Sequence, residues 1–167
     1  ELASLDVMWF EEPVAPETKS HELSQIASVI DLPIAGGESG YGTPFFDNLM
    51  DKNALEIIMP DIKFCGGVNE AINASLSASK RRKRFSLHNP SGPVSQLLSA
   101  HVTAAASDKI SLAHSMPLEH AVDETDWRRE LMYPAEEIHN GFFWIPPGHS
   151  IGATLNQKIL QNKGTQW

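Results

Sequence analysis

Short apolar runs alternate with longer amphipathic stretches along most of the chain. The runs that predict β-strands are 7–12 (VMWFEE), 32–36 (LPIAG), 55–59 (LEIIM), 84–87 (RFSL) and 110–118 (ISLAHSMPL). The first three are almost continuously apolar, which is typical of strands buried on both faces of a parallel sheet. The alternation therefore predicts an α/β protein built from about five βα units.

Between these runs, apolar residues recur at helical spacing. The predicted helices are 20–30, 44–52, 68–82 and 94–106, the last of them preceded by Pro93. The basic run 80–84 (KRRKR) is interpreted as a solvated helix end that complements the helix dipole, with a phosphate site as the less favoured alternative. Beyond residue 119 the sequence is turn-rich with isolated aromatic residues. We therefore divide the chain into a βα portion, 1–119, which carries the strand ends, and a C-terminal capping segment, 120–167.

The composition excludes several classes of protein. The 167 residues are 41% hydrophobic and 20% charged, as in an ordinary soluble globular domain. Thirteen basic and 21 acidic residues give a formal charge of −8, which disfavours nucleic acid or an anionic membrane as a partner because both favour a basic surface. No apolar stretch approaches the roughly 18 residues of a membrane span. The single cysteine, Cys65, cannot form an intramolecular disulfide, so the sequence either fits a reducing compartment or is neutral on the point, and we take the cytoplasm as the default.

A polar side chain follows almost every predicted strand. In parallel α/β barrels the active site lies at the carboxyl ends of the strands. The polar residues there are Glu11 and Glu12, Glu38, Asp61, His88 and Glu119. Glu11 and Glu38 offer hard oxygen ligands, which suit Mg²⁺ better than zinc. Taken alone, either glutamate could simply end its strand in solvent, but five polar strand ends in register favour a site.

Asp61 and His88 end consecutive predicted strands. A carboxylate in that place could hydrogen-bond one imidazole nitrogen and leave the other facing a pocket, which would fix the tautomer and raise the basicity of the ring, as a general base requires. The alternative is two unrelated surface residues. The glycines at 36–37 and 40–42 match neither a P-loop nor a dinucleotide-binding fingerprint, so we predict no site for a nucleotide cofactor.

Five motifs occur in a fixed order: WFEEP (9–13), GGES (36–39), MPDIKFCGG (59–67), SLHNPSGP (86–93) and LEHAVDETDWR (118–128). Together they resemble the enolase superfamily, and most closely its mandelate racemase/muconate lactonizing enzyme group. The resemblance spans nearly the whole chain. It implies the C-terminal part of a (β/α)₈, TIM-like barrel, with about five βα units and a C-terminal capping tail. Glu1 opens within what looks like a helix end, so we expect upstream sequence that carries the other strands.

The resemblance also implies roles for these residues. Glu11 and Glu38 match ligands of a catalytic Mg²⁺. Asp61 and His88 match a catalytic dyad in which His88 is the base or acid. Glu119 matches the catalytic acid that hydrogen-bonds the substrate carboxylate as it becomes an enediolate. Ala113 is the alternative occupant of that strand end, and Glu119 is preferred because the DETDWR run keeps its usual distance from it.

Three functions are open at this point. The resemblance favours a Mg²⁺-dependent lyase of carbohydrate acid metabolism, which removes the proton alpha to a carboxylate and dehydrates an acid sugar. The second is an isomerase, namely a racemase, epimerase or cycloisomerase of a carboxylate substrate. The third is a catalytically incomplete fragment that needs a companion chain or a missing N-terminal half, and that is aggregation-prone alone because both edges of its sheet are unpaired. The resemblance further implies that the intact protein is a homo-oligomer.

Overall fold

The computed structural model describes residues 5–110, 116–122, 125 and 127–163. Its first part consists of four strand–helix units. The strands are β1 (Phe10–Glu11), β2 (Ile34–Gly36), β3 (Ile57–Ile58) and β4 (Arg84–Phe85), and the helices that follow them are α1 (Ser20–Val29), α2 (Thr43–Asp51), α3 (Val68–Lys80) and α4 (Pro93–Ile110). The first four predicted strands and all four predicted helices are confirmed, although each strand is shorter than its apolar run.

The four strands form one parallel sheet in chain order, β1–β2–β3–β4. Phe10 pairs with Ile34, Ala35 with Ile57, and Ile58 with Phe85. Because the strands are parallel and adjacent, their carboxyl ends lie along one edge of the sheet. The polar residues that follow the strands are therefore brought to the same edge, as predicted.

Side chains of alternate strand residues enter two different cores, because successive residues of a strand point to opposite faces. Ile34, Ile58 and Phe85 join the larger core, which the helices cover. Ala35, Ile57 and Met59 form a smaller cluster on the other face, with Trp9 packed against it. The sheet is thus buried on both faces, which accounts for the continuous apolar runs in the sequence.

The starts of α2 and α3 are tied together. Gly42 and Gly67 precede the two helices with φ angles of +75° and +88°, a region that glycine enters without steric cost. Glu70, in the first turn of α3, accepts hydrogen bonds from the Thr43 N–H at 2.8 Å and from the Thr43 hydroxyl at 2.9 Å. Both helices also pack against each other. This contact fixes the β2–α2 loop, which carries Glu38, relative to the β3–α3 loop.

A fifth strand was predicted at 110–118, and this prediction is wrong at Ile110, which is helical. Helix α4 continues to Ile110, four residues beyond its predicted end, because the intervening sequence, SDKI, contains no glycine or proline to stop it. Residues 111–115, including Ala113, lie outside the described residues. Residues 116–118 are described and carry no strand. They nevertheless run beside β4, since the Ser86 hydroxyl donates to the Pro117 carbonyl at 3.1 Å.

The described part of the tail contains short antiparallel pairs. Strand β5 (Met132–Tyr133) pairs with β8 (Thr154–Leu155), β6 (Glu137–His139) pairs with β7 (Phe142–Trp144), and α5 (Gln157–Lys163) ends the described chain. Within residues 127–163 no parallel βα unit occurs, as expected from the sequence. The division of the chain at residue 119 stays a prediction. Among the described residues, no helix combines the length and apolar character needed to cross a membrane.

Candidate active site

Three predicted site residues form a continuous chain of contacts at the carboxyl edge of the sheet. Asp61 Oδ2 lies 3.0 Å from His88 Nδ1, and His88 Nε2 lies 3.0 Å from Glu38 Oε2. An ionised carboxylate only accepts hydrogen bonds, so Nδ1 carries a proton and donates a hydrogen bond to Asp61. The contact on the other side of the ring also needs a proton, which Nε2 and Glu38 share.

The charge of the imidazole responds to this setting. Burial alone would lower the pKa of His88, and it is the largest single influence. The hydrogen bond to Asp61 and the negative charges of Glu38, Glu119 and Asp61 together outweigh it, so the pKa of His88 lies above its ordinary value. His88 is therefore suited to hold a proton at Nε2 and to release it at a substrate.

The pKa values of the two carboxyls that flank His88, those of Glu38 and Asp61, are shifted in opposite directions. Burial, followed by the charges of Glu12, Glu11 and Glu119, raises the pKa of Glu38 despite the opposing effect of His88. Asp61 is fully buried, and burial pulls its pKa upward. Hydrogen bonds from His88 and from the Lys63 N–H, with the charge of Lys63, reverse this and lower the pKa of Asp61. Asp61 stays ionised, whereas Glu38 accepts a proton more readily.

Lys63 is a site residue that the sequence reasoning missed. Its N–H donates to Asp61 Oδ1 at 2.7 Å, and its Nζ lies 3.3 Å from Asp61 Oδ2. Both oxygens of Asp61 therefore have partners, and Lys63 touches each of them. Lys63 Nζ also donates to the hydroxyl of Ser91 in the β4–α4 loop. Its position two residues after Asp61 was the available signal, because a residue at that spacing commonly donates its N–H to an aspartate.

Glu119 reaches the same edge from the segment beside β4. Its Oε2 accepts a hydrogen bond from the N–H of Asn89 at 2.6 Å, which places it next to His88. The amide of Asn89 in turn donates to Gln96 Oε1 of α4 at 2.5 Å, and both of these side chains are fully buried. The loop that carries His88 and Asn89 is thus held by Glu119 on one side and by α4 on the other.

Glu11 lies at the rim of the site. It is exposed, and its Oε2 accepts a hydrogen bond from the Trp9 indole N–H at 3.1 Å. Its negative charge is one of those that raise the pKa of Glu38. Among the described residues, no group of three or more His, Cys, Asp or Glu side chains is arranged to hold a metal ion. Two carboxylates with hard oxygens fit part of the shell of Mg²⁺, which usually keeps several waters.

A buried arginine in the tail fastens the β4–α4 loop, and the sequence reasoning also missed this role. Arg128 Nε and Nη2 donate to the two carboxylate oxygens of Glu136 at 2.8 and 3.0 Å. Its Nη1 donates to the carbonyl of Ser91 at 2.9 Å. Ser91 therefore links Arg128 in the tail to Lys63 beside Asp61.

The comparison with known families decides where this site belongs. The family model "Enolase C-terminal domain-like" matches residues 1–159. The chain belongs to this family. The enolase-like fold class predicted from the five motifs is therefore confirmed, and the four described βα units are part of the C-terminal portion of a TIM-like barrel.

This enolase-like chain is also similar to individual curated proteins and to solved structures. A D-xylonate dehydratase of Haloferax volcanii is 31% identical over 162 residues, covering 96% of this chain and 37% of that protein. An arabinonate dehydratase of Saccharolobus solfataricus is 27% identical over 161 residues, covering 96% and 41%. The crystal structure of a mandelate racemase/muconate lactonizing enzyme-like protein from Rubrobacter xylanophilus matches with a TM-score of 0.85 at 26% identity, covering 96% and 39%. The chain thus spans about two fifths of the length of these relatives.

Proposed function

We propose that the protein is a Mg²⁺-dependent lyase that dehydrates an acid sugar. The observation that carries this proposal is the chain Asp61–His88–Glu38, in which one imidazole nitrogen is fixed by a buried carboxylate and the other faces the strand-end carboxylates. The names of the two dehydratase relatives indicate sugar acids as the class of substrate.

In this proposal each side chain has one task. Asp61 holds the His88 ring with Nε2 facing the substrate. His88 Nε2 takes the proton from the alpha carbon and then gives that proton to the departing β-hydroxyl, which leaves as water. Glu119, in its protonated form, donates a hydrogen bond to the substrate carboxylate as negative charge develops on the carboxylate oxygens. The products are water and an enol that tautomerises to a 2-keto-3-deoxy acid, so atoms and charge balance.

Glu11 and Glu38 would hold the Mg²⁺ together with waters. When bound, the ion supplies Lewis acidity that stabilises the charge on an enediolate. A Glu38 carboxylate engaged as a ligand would leave His88 Nε2 open to the substrate. We further propose that the protein acts in the cytoplasm, since Cys65 is a buried free thiol, and that it assembles as a homo-oligomer.

The test is a screen of the purified full-length protein with Mg²⁺ against a panel of sugar acids, with 2-keto acid formation as the readout. The expected result is keto acid from at least one substrate and a loss of about 10²- to 10⁴-fold in kcat in His88→Gln. His139→Gln is the matched control, because His139 is exposed and paired only locally with Glu137 in the described structure.

Other outcomes identify the competing functions. Exchange of the alpha proton in D₂O or a new stereoisomer, without keto acid, would establish the racemase or epimerase hypothesis instead. A folded full-length protein that neither forms keto acid nor exchanges the alpha proton of any substrate in the panel would contradict both activities. Activity of the full-length protein that is absent from residues 1–167 alone would support the hypothesis of an incomplete fragment.

A further inference from the structure

The second acid of the WFEEP motif has a different setting from the first. Glu12 Oε1 accepts a hydrogen bond from the Gly37 N–H at 2.7 Å and faces the Glu38 N–H at 3.4 Å. Two successive backbone N–H groups therefore point at one carboxylate oxygen, an arrangement that binds anions. Glu11, by contrast, is exposed and paired with the Trp9 indole. The two adjacent glutamates thus have separate partners.

The backbone on both sides of this contact is built around the Glu12 side chain. A Cβ at Gly36 would lie 2.8 Å from Glu12 Cγ, closer than carbon atoms approach, so glycine is required for the side chain to cross the end of β2. Glu12 itself has a φ of +37°, a left-handed backbone conformation that is strained for a residue other than glycine. The surrounding contacts hold Glu12 in this conformation across the turn that carries Glu38.

From this geometry we propose that Glu12 is a positioning residue, which fixes the backbone of the Gly37–Glu38 turn and thereby directs the Glu38 carboxylate into the site. Glu12 acts through the N–H groups of the turn and is not a ligand of the cation. This inference rests on the proposed function, because it assumes that Glu38 binds a divalent cation.

The first experiment measures binding of Mn²⁺, a paramagnetic probe for Mg²⁺, by electron paramagnetic resonance on the full-length protein. Glu12→Ala removes the acceptor and the charge, whereas Glu12→Gln removes the charge and keeps an oxygen that accepts from Gly37. Gly36→Ala keeps every carboxylate but displaces the Glu12 side chain. Glu17→Ala is the control, since it removes an exposed acid in the following loop.

The expected pattern separates positioning from ligation. Glu12→Ala and Gly36→Ala should weaken Mn²⁺ binding by about tenfold or more, as is usual when a residue that orients a metal ligand is removed. Glu12→Gln should stay within about threefold of the parent, because a partly exposed charge contributes little by itself, and Glu17→Ala should match the parent. Loss of binding in Glu12→Gln as severe as in Glu12→Ala would overturn the proposal, as would unchanged binding in Glu12→Ala.

The second experiment needs no metal. Hydrogen exchange of the Gly37 amide, followed by NMR in the metal-free full-length protein, should be faster in Glu12→Ala and Gly36→Ala and close to the parent in Glu12→Gln. Unchanged exchange in Glu12→Ala would overturn the positioning role. If the parent protein fails to bind Mn²⁺, the proposed metal site is wrong. The exchange rate of the Gly37 amide then tests by itself whether Glu12 fixes the turn.

Discussion

Asp61 illustrates how neighbouring groups set the ionisation of a buried carboxyl. Desolvation favours the neutral acid, yet two hydrogen bonds and the Lys63 ammonium favour the carboxylate, and together they prevail. The identity of Asp61 and its place after a strand were predictable from the sequence. Its ionised state depends on Lys63 and His88, which reach it in space from the β3–α3 loop and from the end of β4.

Lys63 should therefore matter to catalysis without touching the substrate. In Lys63→Met, Asp61 loses the ammonium 3.3 Å from Oδ2 and holds His88 less firmly. We expect kcat to fall by about tenfold, a fraction of what general acid–base catalysis supplies, with KM nearly unchanged. Steady-state kinetics on the substrate found in the screen would check this. Lys63→Arg should recover most of the activity, and equal defects in both variants would contradict the role.

At Cys65 burial acts in the same direction, and here it prevails. Desolvation is the main cause that raises the pKa of its thiol to about 11, and the side chain is fully buried. At pH 8 about one thiol in a thousand is then ionised, and the thiolate is the reactive form. We expect iodoacetamide at pH 8 to leave the native protein unlabelled at Cys65 and to label that residue fully in urea. Comparable labelling rates in the two states would contradict this prediction.

At the scale of elements, the β4–α4 connection depends on a buried amide pair. The side-chain amides of Asn89 and Gln96 form one hydrogen bond with each other. In the described part of the chain, their remaining polar atoms, Asn89 Oδ1 and Gln96 Nε2, are buried without a hydrogen-bond partner. Buried amides are costly unless paired. The pair links the loop of His88 to the first turns of α4, so the position of His88 is coupled to the stability of that helix.

Substituting one member of the pair should reveal this coupling. Gln96→Leu removes the acceptor of the Asn89 amide and should lower the free energy of unfolding by about 1–3 kcal/mol, measured by urea denaturation. Replacing both residues, in Asn89→Leu/Gln96→Leu, should cost less than the sum of the two single changes because no amide is left unpaired. Strict additivity would show that the two side chains do not interact.

For the whole molecule, Arg128 joins the tail to the loop after β4, and a buried ion pair within the tail holds the arginine in place. The side chains of Arg128 and Glu136 are each only 8% exposed, and Arg128 also binds the carbonyl of Ser91. Within the described sheet, β1 and β4 are the edge strands, so the tail reaches the site through the loop after the edge strand β4. The expectation that an isolated chain with two unpaired edges aggregates stays a prediction.

Removing the arginine should loosen this junction. Arg128→Met leaves Glu136 buried without its main cation, which should cost about 3–5 kcal/mol of unfolding free energy, measured by urea denaturation. In the double variant Arg128→Met/Glu136→Gln no charge is stranded, so the loss should be smaller. A double variant as unstable as Arg128→Met would show that packing of the arginine stem, and not its charge, holds the tail.

The sequence by itself determined the βα order, the four strand ends and the residues that follow them, because burial on both faces imposes continuous apolar runs and parallel strands place their carboxyl ends on one edge. The ordered motifs also determined the family. Only the tertiary structure decided that Glu12 rather than Glu11 binds the Gly37–Glu38 turn, that the Lys63 ammonium contacts both Asp61 and Ser91, and that Arg128 holds Ser91. Those contacts depend on side-chain direction and on loops distant in sequence, and residue order does not encode either in a local pattern. The end of α4 belongs to the same class, since no local stop signal separates the predicted strand at Ile110 from the helix before it.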